Sequence, residues 1–529
     1  MPNYRSPGVY VEEVQSGSRP IEGVGTAITA FVGITADGPY NKPIKVTNWG
    51  QYVKTFGEWA DGAYLPHAVY QYFNNQGGSA YIVRIGENGA AEPQRATAEL
   101  TSSVKAGQGV YRIEAREQGL AGDGITIRVE PRIGPPALET SRPSTDGDGG
   151  GGAHAEPIDD TFTVVVQRGD TTERYEGISP RKGRNDLTTT LARSVLVQAA
   201  EVGSAPVAER VPSSGVITLS GGASLPARLT PDDYLGDETA RSGIAGLSTL
   251  DDVTIVAMPD LMASYESGQI DLDGVRAVQG ALIEHCEAMK DRMAILDTPK
   301  GLTAQQVREW VKEKARYSSA YAALYYPWVY FYDPQLRQPR LMPPSGAIAG
   351  IWGRNDDSRG VHKAPANEVV AGALDLELNV NRREHDDLNP AGINVIRAFP
   401  GRGILVWGAR TLADDSAWRY VNVRRLFNYI ETSILAGTQW VVFEPNDLEL
   451  WQRIKRTVAS FLLGLWRDGA LFGATPEQAF YVKCDAETNP PDVVDAGYVV
   501  IEVGIAPVKP AEFVVFRIAQ LPTGGGVQE

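Results

Sequence analysis

Two aspartates stand where an open α/β sheet would gather reactive groups. Asp260 follows the apolar run Val253 to Pro259, and Asp297 follows Met293 to Leu296. Both are therefore expected at the carboxyl ends of strands, the edge at which such sheets hold ligands, where carboxylates do general acid–base work. No Gly-x-Gly-x-x-Gly run, phosphate-binding lysine loop or Gly-x-Ser-x-Gly elbow accompanies them, and an aspartate after a strand also serves as a turn cap. The histidines, His67, His154, His285, His362 and His385, fall at no metal-ligand spacing. His385 sits in the charge cluster Arg382-Arg-Glu-His-Asp-Asp387, whose arginines oppose a cation, so a salt-bridged loop or interface is expected. His285 adjoins Cys286, but neighbouring positions on a helix do not face one another. Asp146-Gly-Asp-Gly-Gly-Gly-Gly152 lacks the alternating acids and closing glutamate of a calcium loop and reads as a flexible surface loop. The expectation is a chain without catalytic residues, metal site or cofactor. An α/β enzyme with a site near Asp260 and Asp297 is the alternative.

Composition narrows the field further. A chain of 529 residues is too long for one core, so two to four domains are expected. With 43% apolar and 22% charged residues it has the balance of a globular protein. Cys286 and Cys484 are far apart and lie in apolar surroundings, which predicts buried free thiols. A net charge of −15 repels phosphate backbones, so no nucleic-acid partner is expected. Apolar runs fall short of a bilayer span, and Met1-Pro-Asn-Tyr-Arg-Ser-Pro7 lacks the apolar core of a signal peptide. The protein is expected to be made in the cytoplasm, with no direct membrane insertion.

The elements expected around these residues alternate. Thr29 to Ile34, Ala80 to Ile85, Val253 to Ala257 and Met293 to Leu296 read as strands, Ala320 to Tyr332 as an aromatic-rich strand region, and Tyr64 to Phe73 and Asp271 to Met289 as helices. Thr303 with Gln306 forms a capping box that opens a helix through Lys314. Such alternation implies a parallel sheet covered by helices. Between them, residues 90–230 carry short alternating strands and read as an inserted β-rich peripheral domain. Further on, Asn394 to Ala398, Gly403 to Trp407 and Trp440 to Phe443 read as strands, and Ser416 to Leu435 as a helix. A second helix carries the stripe Leu448, Trp451, Ile454, Val458, Phe461, Leu462 and Leu465, with Asn446 and Glu449 as its N-terminal capping pair and Gly469 as its stop.

The ends of the chain differ from its body. Gly8-Val-Tyr-Val-Glu-Glu-Val14 is a lone strand with no hairpin partner nearby, and an extended segment must satisfy its backbone somewhere. Tyr498 to Ala506 and Glu512 to Ala519 read as final strands, and Pro507 and Pro510 between them disfavour a tight hairpin. Residues 380–470 hold 12 basic against 10 acidic residues in an otherwise acidic chain. Arg424 and Arg425 on one helix, and Arg453, Lys455 and Arg456 on the next, read either as solvated faces or as a docking surface for an acidic partner.

Several blocks resemble the tail sheath proteins of contractile phages, R-type pyocins and extracellular contractile injection systems. They include Ser6-Pro-Gly-Val-Tyr-Val-Glu-Glu13, Pro43-Ile-Lys-Val-Thr-Asn-Trp49 with Tyr52 and Phe56-Gly57, Tyr70-Gln-Tyr-Phe-Asn-Asn-Gln-Gly-Gly78 and Ala80-Tyr-Ile-Val-Arg84. Tyr326-Pro-Trp328, Met342-Pro-Pro-Ser345 to Gly350 and His362-Lys-Ala-Pro-Ala-Asn367 follow. The most specific are Leu388-Asn-Pro-Ala-Gly-Ile-Asn394, Gly403 to Thr411, Tyr420-Val-Asn-Val-Arg-Arg425, Phe443-Glu-Pro-Asn446 and Leu465-Trp-Arg-Asp-Gly-Ala-Leu471.

The resemblance implies a structural subunit that stacks in six-fold rings around an inner tube. It implies contraction from a metastable extended state, and contacts with the tube protein, baseplate and tail-terminator or cap proteins. It also implies a phage tail or tail-like particle assembled in the bacterial cytoplasm and released by lysis. The expected fold is α/β and α+β, multidomain: a 1–25 arm donated to a neighbour, a middle α/β domain from 26–89 with 231–365, the 90–230 insertion, a 366–505 core domain facing the tube, and a donated 506–529 extension. Inter-subunit strand exchange falls to Val9, Tyr10, Val11 and Val14 and to Phe513, Val514, Val515, Phe516 and Ile518, and inner-tube contact to Arg453, Lys455 and Arg456. The rival classes are a hydrolase-like or nucleotide-binding enzyme and a monomeric binding protein.

Overall fold

A computed structural model describes residues 20–86, 95–105, 107–118, 122–131, 161–169, 171–203, 205–222 and 228–517. Val9, Tyr10, Val11, Val14, Ile518 and the Asp146 to Gly152 loop lie outside the described residues.

The apolar runs build one nine-stranded sheet. From edge to edge its order is Glu368–Val369, Gly403–Val406, Ile393–Phe399, Ala322–Tyr326, Met293–Asp297, Ile255–Ala257, Ile28–Gly33, Ser79–Arg84 and Ile44–Val46. The six strands from Ile393–Phe399 to Ser79–Arg84 run parallel, and the outer ones attach antiparallel. Every residue of Ala322–Tyr326 and Met293–Asp297 is buried, as expected of parallel strands covered by helices. Helix Leu272–Met289 places Val275, Val278, Leu282, Ile283 and Cys286 in the core, and Asp271 caps it by accepting from Gly274 N at 2.8 Å. Both cysteines are buried free thiols.

Helices Leu65–Asn74 and Ser345–Arg359 touch backbone to backbone. A Cβ at Gly346 would come 2.4 Å from the Ala68 carbonyl oxygen, and one at Gly350 would come 2.4 Å from that of Tyr72. Two glycines one turn apart are what let these helices approach so closely. This accounts physically for the Met342 to Gly350 block.

Residues 95–222 hold a core of their own, including Ile113, Ala115, Ile127, Val164, Val166, Leu187 and Val197. Arg95–Thr101, Gly109–Gln118 and Val197–Glu201 form one antiparallel sheet. Gly215–Thr218, Thr126–Pro131, Phe162–Arg168 and Thr171–Ile178 form a second.

The C-terminal third departs from expectation in five places. Strands Glu368–Val369, Ile393–Phe399 and Gly403–Val406 belong to the central sheet, so the last unit does not begin at residue 366. The helix expected from Ser416 is a 3-10 turn, Ser416–Trp418, followed by helix Val421–Gly437. Trp440 to Phe443 is not a strand: Gln439–Val441 is a 3-10 turn and Phe443 has φ 67°, so the apolar run curls instead of alternating across a pleat. The cap of helix Leu448–Arg467 is Asp447, which accepts from Leu450 N at 2.9 Å. Asn446 instead accepts from Trp451 Nε1 and donates to the Tyr498 carbonyl. Finally, the strand near the end is only Glu502–Ile505, and residues 512–517 pair with no strand among the described residues.

Candidate functional site

Asp260 and Asp297 are buried and consumed by structure. Asp260 accepts from Ile34 N at 2.6 Å, Tyr64 N at 2.5 Å and Leu65 N at 2.9 Å, tying the Ile28–Gly33 strand to the start of helix Leu65–Asn74. Burial pushes its carboxyl up to about 6 against these bonds. Asp297 accepts from Ser345 N at 3.0 Å and Ser345 Oγ at 2.5 Å, and burial pushes it up to about 7. Among the described residues the two carboxylates hold separate elements and share no hydrogen-bond donor. His285 lies 3.4 Å from Arg292, and burial next to that cation takes it down to about 4. Burial pushes the neighbouring Cys286 thiol well up, which leaves no thiolate–imidazole pair. His385 lies in helix Arg382–Leu388, capped by Asn381, and burial lowers its pKa.

The C-terminal part of the chain offers a different kind of surface. Helix Leu448–Arg467 buries Leu450, Trp451, Ile454, Val458 and Leu462. On this core lies a two-stranded antiparallel hairpin, Phe480–Lys483 against Glu502–Ile505. Val482 points into the core with Phe480, Val503 and Ile505 beside it, while Tyr481 covers Gly504 and stays 59% exposed. Among the described residues no third strand lines either edge. A two-stranded sheet is marginal alone, and its unpaired edges are templates for an added strand. The approach to Glu502 is held by side chains: Asn489 accepts from Val500 N at 2.6 Å and donates to Val500 O at 3.0 Å.

Both ends of the described chain root beside this hairpin. At the amino end Ile21 is buried, Val24 N donates to Ser433 Oγ at 3.2 Å, and the Thr26 carbonyl accepts from Arg425 at 2.8 Å. A Cβ at Gly23 would come 1.9 Å from the Tyr429 hydroxyl, so any larger residue would have to displace that ring from helix Val421–Gly437. At the carboxyl end Asn422 donates to the Val508 carbonyl at 3.2 Å, and the Glu512 carboxylate takes bonds from Arg410, Asn389 and Tyr420. Beyond it Phe513, Val514, Val515 and Phe516 stand 73%, 71%, 77% and 83% exposed. One helix thus carries the roots of both ends.

Arg424 and Arg425 are not a solvated or docking face, for both are buried. Arg425 forms a two-pronged pair with Asp356 at 2.8 and 2.5 Å and lies over Trp352. Arg424 stacks on Trp418 and Tyr321 and donates to Asn428 at 2.7 Å. Their partners, Asp356 and Tyr321, come from far along the chain, so helical spacing alone could not reveal them. On helix Leu448–Arg467, Arg453 lies across Trp440, centroid distance 4.5 Å, whereas Lys455 is half-buried and Arg456 exposed.

Comparison with known proteins covers most of the chain. Residues 252–412 match the profile of the phage tail sheath protein central domain, and residues 413–520 that of the phage tail sheath C-terminal domain. The tail sheath protein of Enterobacteria phage T4 is 23% identical over 394 residues, 70% of this chain; the chain spans only 57% of that relative's length. That of Burkholderia phage BcepMu is 23% identical over 517 residues, 93% of this chain and 92% of the relative. The PVC sheath of an extracellular contractile injection system in the contracted state has the same fold (TM-score 0.57, 23% identity, 98% of this chain and 99% of that one). So has the contracted helical sheath of the anti-feeding prophage (TM-score 0.57, 24% identity, 98% and 99%).

Proposed function

This chain belongs to the phage tail sheath protein family, and from that membership we propose that it is a structural subunit, not an enzyme, of a contractile sheath. Copies stack as six-fold rings around an inner tube, with a baseplate at one end and a terminator or cap protein at the other. The arm holding Val9, Tyr10, Val11 and Val14, and the segment Phe513 to Phe516 with Ile518, each add to the hairpin of a neighbouring copy. Main-chain hydrogen bonds then persist while subunit bodies turn. Head-to-tail contacts of this kind do not close on themselves and generate an open helical filament.

One observation carries the reading: among the described residues the two-stranded hairpin has no third strand at either edge, and the apolar segment that follows it in the chain is exposed and pairs with no strand. Contraction draws on surface newly buried between bodies. Even about 2 kcal/mol per subunit, modest beside a standard interface of about 1,600 Å², sums over many copies to a large mechanical output. The positive face of Arg453, Lys455 and Arg456 meets acidic residues of the tube. Arg453 is partly engaged by Trp440, so Lys455 and Arg456 are its freer members.

Negative-stain microscopy of the purified full chain tests the proposal. Long striated tubes are expected, and deletion of residues 1–20 should leave a folded subunit that forms none. Tubes of normal length from the truncated chain would remove the amino-terminal arm from the account.

A further inference from the structure

The carboxyl-terminal segment is exposed from Ala511 to Arg517 except at one residue, Glu512. Its side chain is 19% exposed and meets three polar groups from three separated segments. Arg410 grips the carboxylate from two nitrogens, at 2.8 Å from Nε and 2.5 Å from a terminal nitrogen. Asn389 Nδ2 donates at 2.8 Å and the Tyr420 hydroxyl at 3.1 Å.

The receptor is also held by bonds that do not involve Glu512. Arg410 is only 8% exposed and gives a further bond to the Asn389 carbonyl at 3.0 Å. Its backbone N–H and carbonyl are both held by the buried Asn394 side chain, at 2.7 and 2.8 Å. Asn389 and Asn394 lie in the Leu388 to Asn394 block, Arg410 in the Gly403 to Thr411 block, and Tyr420 opens the Tyr420 to Arg425 block. Three of the most distinctive stretches of the sequence thus converge on one carboxylate. A two-pronged arginine–carboxylate pair fixes direction as well as distance, and immediately beyond it the chain becomes an exposed apolar run.

We infer that Glu512, seated in the Arg410–Asn389–Tyr420 receptor, is the anchor that sets where and in which direction the carboxyl-terminal strand leaves the subunit to reach its neighbour. This rests on the strand-donation reading above. Glu512 is a positioning residue: it acts through the register of Phe513 to Phe516. Burial works against its ionisation, but the donors from Arg410, Asn389 and Tyr420 prevail and hold the carboxyl below the usual range. The anchor is therefore engaged as a carboxylate at neutral pH.

The test compares the full chain with E512A, E512Q and a chain ending at Glu512. Each is assayed by thermal melting, by chymotrypsin nicking after Phe513 or Phe516, and by the concentration at which tubes sediment. E512A and E512Q are expected to melt as the parent does and to be nicked faster. They are expected to need about tenfold or more higher concentration to assemble, the scale of losing a charge-assisted bond. The chain ending at Glu512 should not assemble at all. If that truncation abolishes assembly while E512A and E512Q assemble at the parental concentration, the anchor is overturned and strand donation stands. If the truncation assembles normally, donation of the carboxyl-terminal strand falls, and the anchor with it. Should E512A fail to fold, E512Q decides alone, since it keeps the side-chain shape and removes only the charge.

Discussion

The exposed segment beyond Glu512 makes a prediction that separates docking from folding. In an extended strand Val514 and Phe516 share one side, and Phe513 and Val515 the other. Serine at either pair leaves the isolated subunit nearly untouched, because all four side chains are already 71–83% exposed. The expected stability change is within about 0.5 kcal/mol. Docking onto a neighbour's hairpin buries one side only. Two large apolar side chains going from mostly exposed to buried contribute about 3–6 kcal/mol, and ordering them costs about 0.5–1.5 kcal/mol each. A net of roughly 2–3 kcal/mol corresponds to about thirtyfold to about 150-fold in subunit affinity. Sedimentation of tubes against concentration reads this directly. One double variant should raise the assembly threshold by that factor while the other changes it several-fold at most. Parental thresholds for both variants would refute the argument, and so would a lowered melting temperature in either.

Four other perturbations have defined outcomes. R425A strands Asp356 in the core without its cation and should cost about 3–5 kcal/mol in denaturant unfolding; a change under about 1 kcal/mol would show that the pair does not bind helix Val421–Gly437 to the body. G346V drives a side chain into the Ala68 carbonyl and should destabilise by about 1–3 kcal/mol or more, whereas the same substitution at Gly280, which has open space around it, should be far milder. Asp297 carries a folded-state pKa raised to about 7. Its contribution is thus complete below about pH 4, falls as the pH rises towards 7, and is level above that; D297N should remove that part of the slope in melting temperature, and an unchanged slope would contradict the assignment. K455E with R456E reverses charge outside the core and spares the Arg453–Trp440 contact. It should leave melting unchanged and yield sheaths without tubes, while normal tube-templated assembly would remove this face from the tube contact.

The sheet and its helices were legible because burial leaves a repeating mark. Ile28–Gly33, Met293–Asp297 and Leu272–Met289 fall within a residue or two of the runs that announced them, and the Thr303–Gln306 capping box forms as read. Elements whose form depends on distant partners were not legible. Arg424 and Arg425 looked like a polar helix side because nothing local to them says that Asp356 and Tyr321 will cover them. The Trp440 to Phe443 run looked like a strand because local composition cannot report a left-handed turn before Pro445. The run at Phe513 was read as a strand, but among the described residues it has no strand partner to make it one. Glu512 carried a faint signal, a lone acid between Pro510 and four apolar residues, but its meaning rests on three residues about 90 to 125 positions upstream.

Helix Val421–Gly437 holds Ile21 and Val24 along its length and Val508 at its first turn, and Tyr420 at its head reaches Glu512. A pull arriving through either terminus therefore loads the same short rod, braced against the body at Arg425 and against the sheet margin at Arg410. Among the described residues, none of the hydrogen bonds that hold either terminus involves residues 95–222. On the strand-donation reading, lengthening or replacing that unit's loops is expected to leave the passage of tension between copies unaltered.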